Sequence, residues 1–176
     1  NSIKLYVDGA LGSRGAALLK PYSDDTLNYG LIITPEDSVI KWAKACFDSG
    51  MQLNAHCIGD SANRITLRAM GSVLQTTNDR RWRIEHAQVV DEEDQNKFGS
   101  FNILPSMQPT HATSDMYWAE ERLGAKRINF TYSLKRLLQQ NGLNALGTDF
   151  PIEEISPLKT FYAAAIRKDY SGFPEK

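Results

Sequence analysis

Three residues of this chain each close a separate strand-like apolar run. His56 follows Gln52-Leu53-Asn54-Ala55, His86 follows Trp82-Arg83-Ile84-Glu85, and Asp149 follows Ala145-Leu146-Gly147-Thr148. Two imidazoles and a carboxylate are a donor set suited to a divalent metal, with the carboxylate serving as ligand or as general base. Each has a plainer alternative: a histidine hydrogen-bonded within the core, or an aspartate capping its own loop. Their repetition at strand ends favours a shared site, because the C-terminal ends of parallel strands gather on one face, where such folds keep their chemistry.

Lys4 belongs to the same constellation. In Ser2-Ile3-Lys4-Leu5-Tyr6-Val7-Asp8, alternation puts Lys4, Tyr6 and Asp8 on one face and Ile3, Leu5 and Val7 on the other. With the apolar set against helices, Lys4 faces inward, where desolvation favours the neutral amine. A neutral lysine can attack a carbonyl, or take up carbon dioxide to give a metal-ligating carbamate. The alternative is an edge-strand lysine in solvent. His111, in Gln108-Pro109-Thr110-His111, either touches substrate or shapes its loop. Arg14 lies in Gly9-Ala10-Leu11-Gly12-Ser13-Arg14-Gly15, a Gly-rich stretch without the ending of a phosphate-binding loop. It pairs with an acidic substrate group or stays solvated. Cys57 adjoins His56 but points to the opposite face of a strand, which makes it a buried structural thiol.

The elements that must position these residues alternate. Strands read at about 2–8, 51–57, 82–86, 102–107 and 143–148. Thr34-Pro35-Glu36-Asp37 opens a helix whose apolar positions Val39, Trp42, Ala43, Cys46 and Phe47 share a face. Further helices begin near Asp60, Asp91, Tyr132 and Ser156, the last with Phe161, Ala164 and Ala165 inward, while Pro109 to Gly124 reads as a long loop. Five strand–helix repeats predict an α/β fold, a parallel sheet with helices outside: about five parallel strands of a partial TIM (β/α)8 barrel, since five units are too few to close one.

With 176 residues the chain suits a single domain over 1–176, and its net charge of -1 offers no attraction to nucleic acid or an anionic membrane. No apolar run approaches the ~20 residues of a membrane span. The chain starts inside a strand without an initiator Met, so it is expected to be a piece of a longer protein. The cytoplasm is favoured as its compartment, a small molecule as its partner, and a homo-oligomer is compatible with the sequence.

Taken in order, Ile3-Lys4-Leu5-Tyr6-Val7-Asp8-Gly9 with Gly12-Ser13-Arg14, Ala55-His56-Cys57-Ile58-Gly59-Asp60, Arg83-Ile84-Glu85-His86-Ala87, Gln108-Pro109-Thr110-His111 and Gly147-Thr148-Asp149-Phe150-Pro151 resemble the amidohydrolase superfamily. The likeness is to the amidohydrolase-3 branch that includes N-substituted formamide deformylase-like enzymes, and it runs over nearly the whole chain. It implies barrel strands four to eight. It implies one or two divalent ions, zinc foremost, held by Lys4 as a bridging carbamate, His56, His86 and Asp149, with Asp149 also shuttling the proton. The implied reaction is hydrolysis of a non-peptide C–N bond by metal-activated hydroxide. The strand-one His-x-His pair of the family is absent, so this segment alone is expected to bind metal weakly and to be inactive. Two other readings stand beside this one: a non-catalytic relative that retains the barrel, and an unrelated barrel using Lys4 for Schiff-base chemistry.

Overall fold

The computed structural model describes residues 1–174. Five strands, β1 (Ser2–Tyr6), β2 (Gln52–Cys57), β3 (Arg83–His86), β4 (Leu104–Met107) and β5 (Ala145–Leu146), form one parallel sheet in sequential order. Between and after them run α1 (Glu36–Ser49), α2 (Asp60–Leu74), α3 (Gln95–Ser100), α4 (Pro109–Ser114), α5 (Ala119–Arg127), α6 (Leu134–Asn141) and α7 (Pro157–Ile166). The fold is therefore α/β, with an open sheet of five parallel strands alternating with helices.

The main core lies between the sheet and the helices. Leu53, Ala55, Cys57 and Ile84 from the strands meet Val39, Ala43 and Cys46 of α1, Leu67 and Met70 of α2, and Phe98 of α3. Trp82 is fully buried beneath this layer, and its indole N–H donates to the Met51 carbonyl at 3.1 Å. Burying this many Leu, Ile, Met and aromatic side chains, each worth roughly 1.5–3 kcal/mol, is what holds the helices on the sheet. Helix α1 starts with Glu36 and Asp37 in its first turn, where they complement the dipole, and stops at Gly50. That residue is left-handed (φ 69°) and returns its N–H to the Cys46 and Phe47 carbonyls.

Several expectations are corrected. Trp42 is 43 % exposed, because the buried stripe of α1 runs through Val39, Ala43 and Cys46 and leaves its neighbour turned outward. On α7 the buried positions are Thr160 and Ala163, not Phe161, which is 69 % exposed. The Pro109 to Gly124 stretch is mostly helical, since Pro109 sits in the first turn of α4, where a missing N–H costs nothing. The last strand has shrunk to two residues.

Candidate metal centre

Strand register shows how the site is assembled. Tyr6, His56, Glu85, Ser106 and Ala145 are successive partners across the sheet, and Lys4, Asn54, Arg83 and Leu104 form the next row. Side chains in one row point to one side, so His56 shares its face with Glu85, whereas His86 is in register with Cys57. Regular alternation would send His86 into the helical layer with Cys57. It does not go there, because the backbone turns left-handed at His86 (φ 74°) and Ala87 (φ 43°). This twist re-aims the imidazole into the cleft. Such a conformation costs of order 1–3 kcal/mol at a non-glycine residue and persists only where surrounding structure enforces it. The two histidines therefore do not occupy equivalent strand positions, and Glu85 is the residue aligned with His56. Asp149 is likewise left-handed (φ 57°), a conformation aspartate tolerates better than most residues.

His56, His86 and Asp149 line a cleft of about 480 Å³ at the C-terminal strand ends, together with Lys4, Tyr6, Leu11, Gln88, His111, Asp115, Trp118 and Glu153. The His56 and His86 ring centroids are 4.5 Å apart, and the His86 and His111 rings stack at 5.8 Å. His111 Nε2 lies 3.8 Å from Asp149 Oδ2, and His86, His111 and Asp149 each place one ligand atom within 4.8 Å of the others. Bonds of about 2.0–2.2 Å to a four-coordinate ion separate ligand atoms by roughly 3.4 Å, so a small closing motion would suffice. His56 stands beside this trio, with Nε2 3.8 Å from Asp8 Oδ1.

The donor chemistry fits a metal. His56 Nε2, His86 Nδ1 and His111 Nε2 are buried without hydrogen-bond partners among the described residues. Orphaned buried nitrogens of this kind are rare and costly unless something ligates them. Burial, reinforced by His86 and Lys4, pushes the His56 imidazole down to about 4. Burial, reinforced by His111 and Lys4, does the same for His86, also to about 4. Both rings are thus neutral near pH 7, the form that ligates. Asp149 does not cap its own loop; the Phe150 N–H goes to Thr148 Oγ1 at 3.2 Å instead.

The other predicted residues fall differently. Lys4 lines the cleft but is exposed, with its ammonium 5.5 Å from the Tyr6 ring, because five strands leave the concave side of the sheet uncovered. Arg14 does not line the cleft; its guanidinium is engaged by Asp24 through Nε at 3.2 Å and Nη2 at 2.9 Å. His111, read as a substrate or loop residue, sits with His86 and Asp149 in the group that could hold a metal. Asp8 lies past the end of β1 and is buried. Its Oδ1 accepts from the Ile58 N–H, and its Oδ2 accepts from the Ala17 and Gly59 N–H groups, a clamp that ties β1 to the end of β2. Cys57 is buried against Thr66 in the core.

Sequence reasoning missed a second polar set. Tyr132 Oη donates to Asp115 Oδ2 at 2.6 Å, and Gln88 Nε2 reaches both Asp115 Oδ2 (3.2 Å) and Tyr132 Oη (2.8 Å). Burial raises the Asp115 carboxyl, while Tyr132 and His111 pull it back. Glu85 is also new. Burial works to raise its carboxyl, but Ser106, Arg83 and Lys4 hold it below the ordinary carboxylate range.

Comparison with known proteins places residues 1–175 in a match to the family model described as "Amidohydrolase family". The chain is 37% identical over 168 residues to the Arabidopsis thaliana protein LONG AFTER FAR-RED 3, covering 94% of this chain and 29% of that protein. It is 34% identical over 167 residues to the Bacillus subtilis (strain 168) protein named "Putative amidohydrolase YtcJ", covering 95% of this chain and 31% of that protein. Among solved structures, an "uncharacterized metal-dependent hydrolase" of Pyrococcus horikoshii OT3 superposes with a TM-score of 0.86 at 32% identity, covering 94% of this chain and 33% of that one. A protein of the same description from Pyrococcus furiosus gives 0.81 at 32% identity, covering 92% and 33%. The chain thus spans about a third of the length of these relatives.

Proposed function

This chain belongs to the amidohydrolase family, and from that membership we propose that it forms part of the catalytic centre of a metal-dependent hydrolase cleaving non-peptide C–N bonds of amide type. The observation that carries the reading is the set of three unpartnered buried imidazole nitrogens beside a carboxylate. His86, His111 and Asp149 would hold a divalent ion, zinc in the first instance, with His56 adjoining. When bound, such an ion lowers the pKa of water from 15.7 to roughly 7 and so supplies the nucleophile at neutral pH. Asp149, partly open to the cleft, takes the proton from the attacking water and returns it to the leaving nitrogen. His56 and His86 stay neutral, and the apolar residues Leu11 and Ile58 line the wall beside them.

Lys4 takes the role of an additional ligand. Once deprotonated, its amine would add carbon dioxide, forming an N–C bond and releasing one proton, and the carbamate oxygens would complete the set of donors able to hold the ion. The exposure of Lys4 here is consistent with a further part of a barrel closing over it, as in a protein of formamide deformylase type. The test uses the protein that contains these 176 residues, loaded with zinc, manganese or cobalt, and a panel of N-acyl and N-formyl amines. Hydrolysis should depend on metal, rise with bicarbonate, and vanish in Lys4→Ala with partial rescue by short carboxylic acids. Metal-independent turnover, or full activity in Lys4→Ala without additive, would overturn the respective part of the reading.

A further inference from the structure

Two carboxylates and an indole from the segments that follow β4 and β5 line the cleft. Asp115 is held from one side only: Tyr132 and Gln88 both donate to Oδ2, and Oδ1 carries no hydrogen bond among the described residues. Glu153 has a single donor, Ser114 Oγ to Oε1 at 2.7 Å. Trp118 lies against Gly12, where an added Cβ would come within 3.3 Å of the ring, so glycine lets the indole rest on the backbone. No arginine lines the cleft, and Lys4 is its one lysine among the described residues. Arg14 and Arg122 both pair with Asp24, and the Arg122 guanidinium lies over the Trp118 ring at 5.7 Å from its centroid, outside the cleft lining. The same cleft contains His86, more than nine-tenths buried with Nδ1 unpartnered, so the wall borders a place built for a ligand.

We propose that this wall, Asp115 and Glu153 beside Trp118, receives a positively charged group of the substrate, an alkylammonium carried on the amide. The inference rests on the hydrolase reading above and adds the substrate class. Each feature has its physical counterpart. A pre-oriented carboxylate gives its free oxygen to a cation without having to reorganise, since two donors already fix it. An indole face adds attraction for an ammonium through its quadrupole. An anionic substituent at this place would meet two like charges, which disfavours it strongly. Gln88 and Tyr132 are positioning residues: they hold Asp115 through its Oδ2.

The test uses choline and its uncharged isostere 3,3-dimethylbutan-1-ol as probes, because the two share the same hydroxyl arm and differ only in the charge of the trimethyl head. Binding to the zinc-loaded protein is measured by calorimetry. Choline should bind at least tenfold more tightly than the isostere. Asp115→Asn, which keeps an acceptor for Tyr132 and Gln88 but removes the charge, should abolish that preference while leaving the metal content unchanged. Tyr132→Phe should reduce it several-fold. Equal binding of the two probes, absence of binding by both, or an undiminished preference in Asp115→Asn would each overturn the proposal. Choline preference in a protein that hydrolyses no amide would retain the charge-selective wall and remove the hydrolase reading. Amide hydrolysis without choline preference would do the reverse.

Discussion

Replacing Gly59 by alanine gives a sharp test of how the site is framed. Gly59 has ordinary dihedrals (φ -75°, ψ 156°), so alanine can adopt its backbone conformation without strain. The difficulty is space: an added Cβ would lie 1.9 Å from the Ala17 carbonyl oxygen, 2.5 Å from its carbon and 2.7 Å from its nitrogen. All three are backbone atoms, so the segment carrying Ala17 must retreat. Retreat breaks the Ala17 N–H bond to the Asp8 carboxylate (2.9 Å) and the Ser61 N–H bond to the Ala17 carbonyl (3.1 Å). A hydrogen bond to a charged acceptor contributes about 1.5–3 kcal/mol and a neutral one about 0.5–1.5, and the Asp8 carboxyl, pushed up by burial to about 7, lies between the two near neutral pH. Overpacking strain adds typically 1–3 kcal/mol. Allowing for partial relaxation, Gly59→Ala should destabilise this region by roughly 3–5 kcal/mol. Native-state hydrogen exchange at the Ala17 and Ser61 amides should accelerate by at least a hundredfold, since about 1.4 kcal/mol corresponds to a factor of ten. Gly50→Ala is the matched control. Its φ is +69° but nothing lies within 4 Å of the new methyl, so it should cost about 1 kcal/mol, from backbone conformation alone. A Gly59→Ala protein whose exchange at these amides stays within fivefold of wild type would show that Ala17 does not pack there.

Two further outcomes are expected. His111→Ala should lower bound divalent metal, read by elemental analysis, as much as His86→Ala does; full metal content in His111→Ala would return that residue to the substrate side. Asp60 is buried, and desolvation raises its carboxyl above 3.8 even though its Oδ1 accepts the Leu19 N–H at 2.8 Å. A raised folded-state value means its stabilising contribution is full below about the unfolded value and is lost as pH climbs through the folded one. Asp60→Asn should therefore flatten the loss of thermal stability in that window, and an unaltered profile would refute the assignment.

Much of the frame was legible in the sequence because its signals are local. Strand alternation and the Pro35, Glu36 and Asp37 helix start reappear in β1, β2, β3 and α1 nearly where they were read. What escaped was tertiary. No pattern announces that His86 and Ala87 turn left-handed, so His86 looked like a regular strand residue aligned with His56. Helix α5 carries a weak amphipathic signal, and it packs with α4 around Tyr132 and Trp118. Arg14 looked available because its partner Asp24 is ten residues away in an irregular segment. Tyr132, Gln88 and Asp115 lie far apart in sequence, and no spacing rule joins them.

The left-handed pair at His86 and Ala87 has a consequence for how this centre could be redesigned. Gln88 follows immediately, and its side chain steadies Asp115 and Tyr132. One local corkscrew in the chain therefore sets both the angle of the His86 imidazole and the posture of the Asp115 carboxyl. The two cannot be tuned independently. A substitution that relaxes the twist would turn the imidazole outward and loosen the carboxylate in the same movement, like two hands geared to one spindle. Attempts to alter what the cleft accepts should begin beyond this stretch, at Glu153 or Trp118, where the wall can be recut without disturbing the donor.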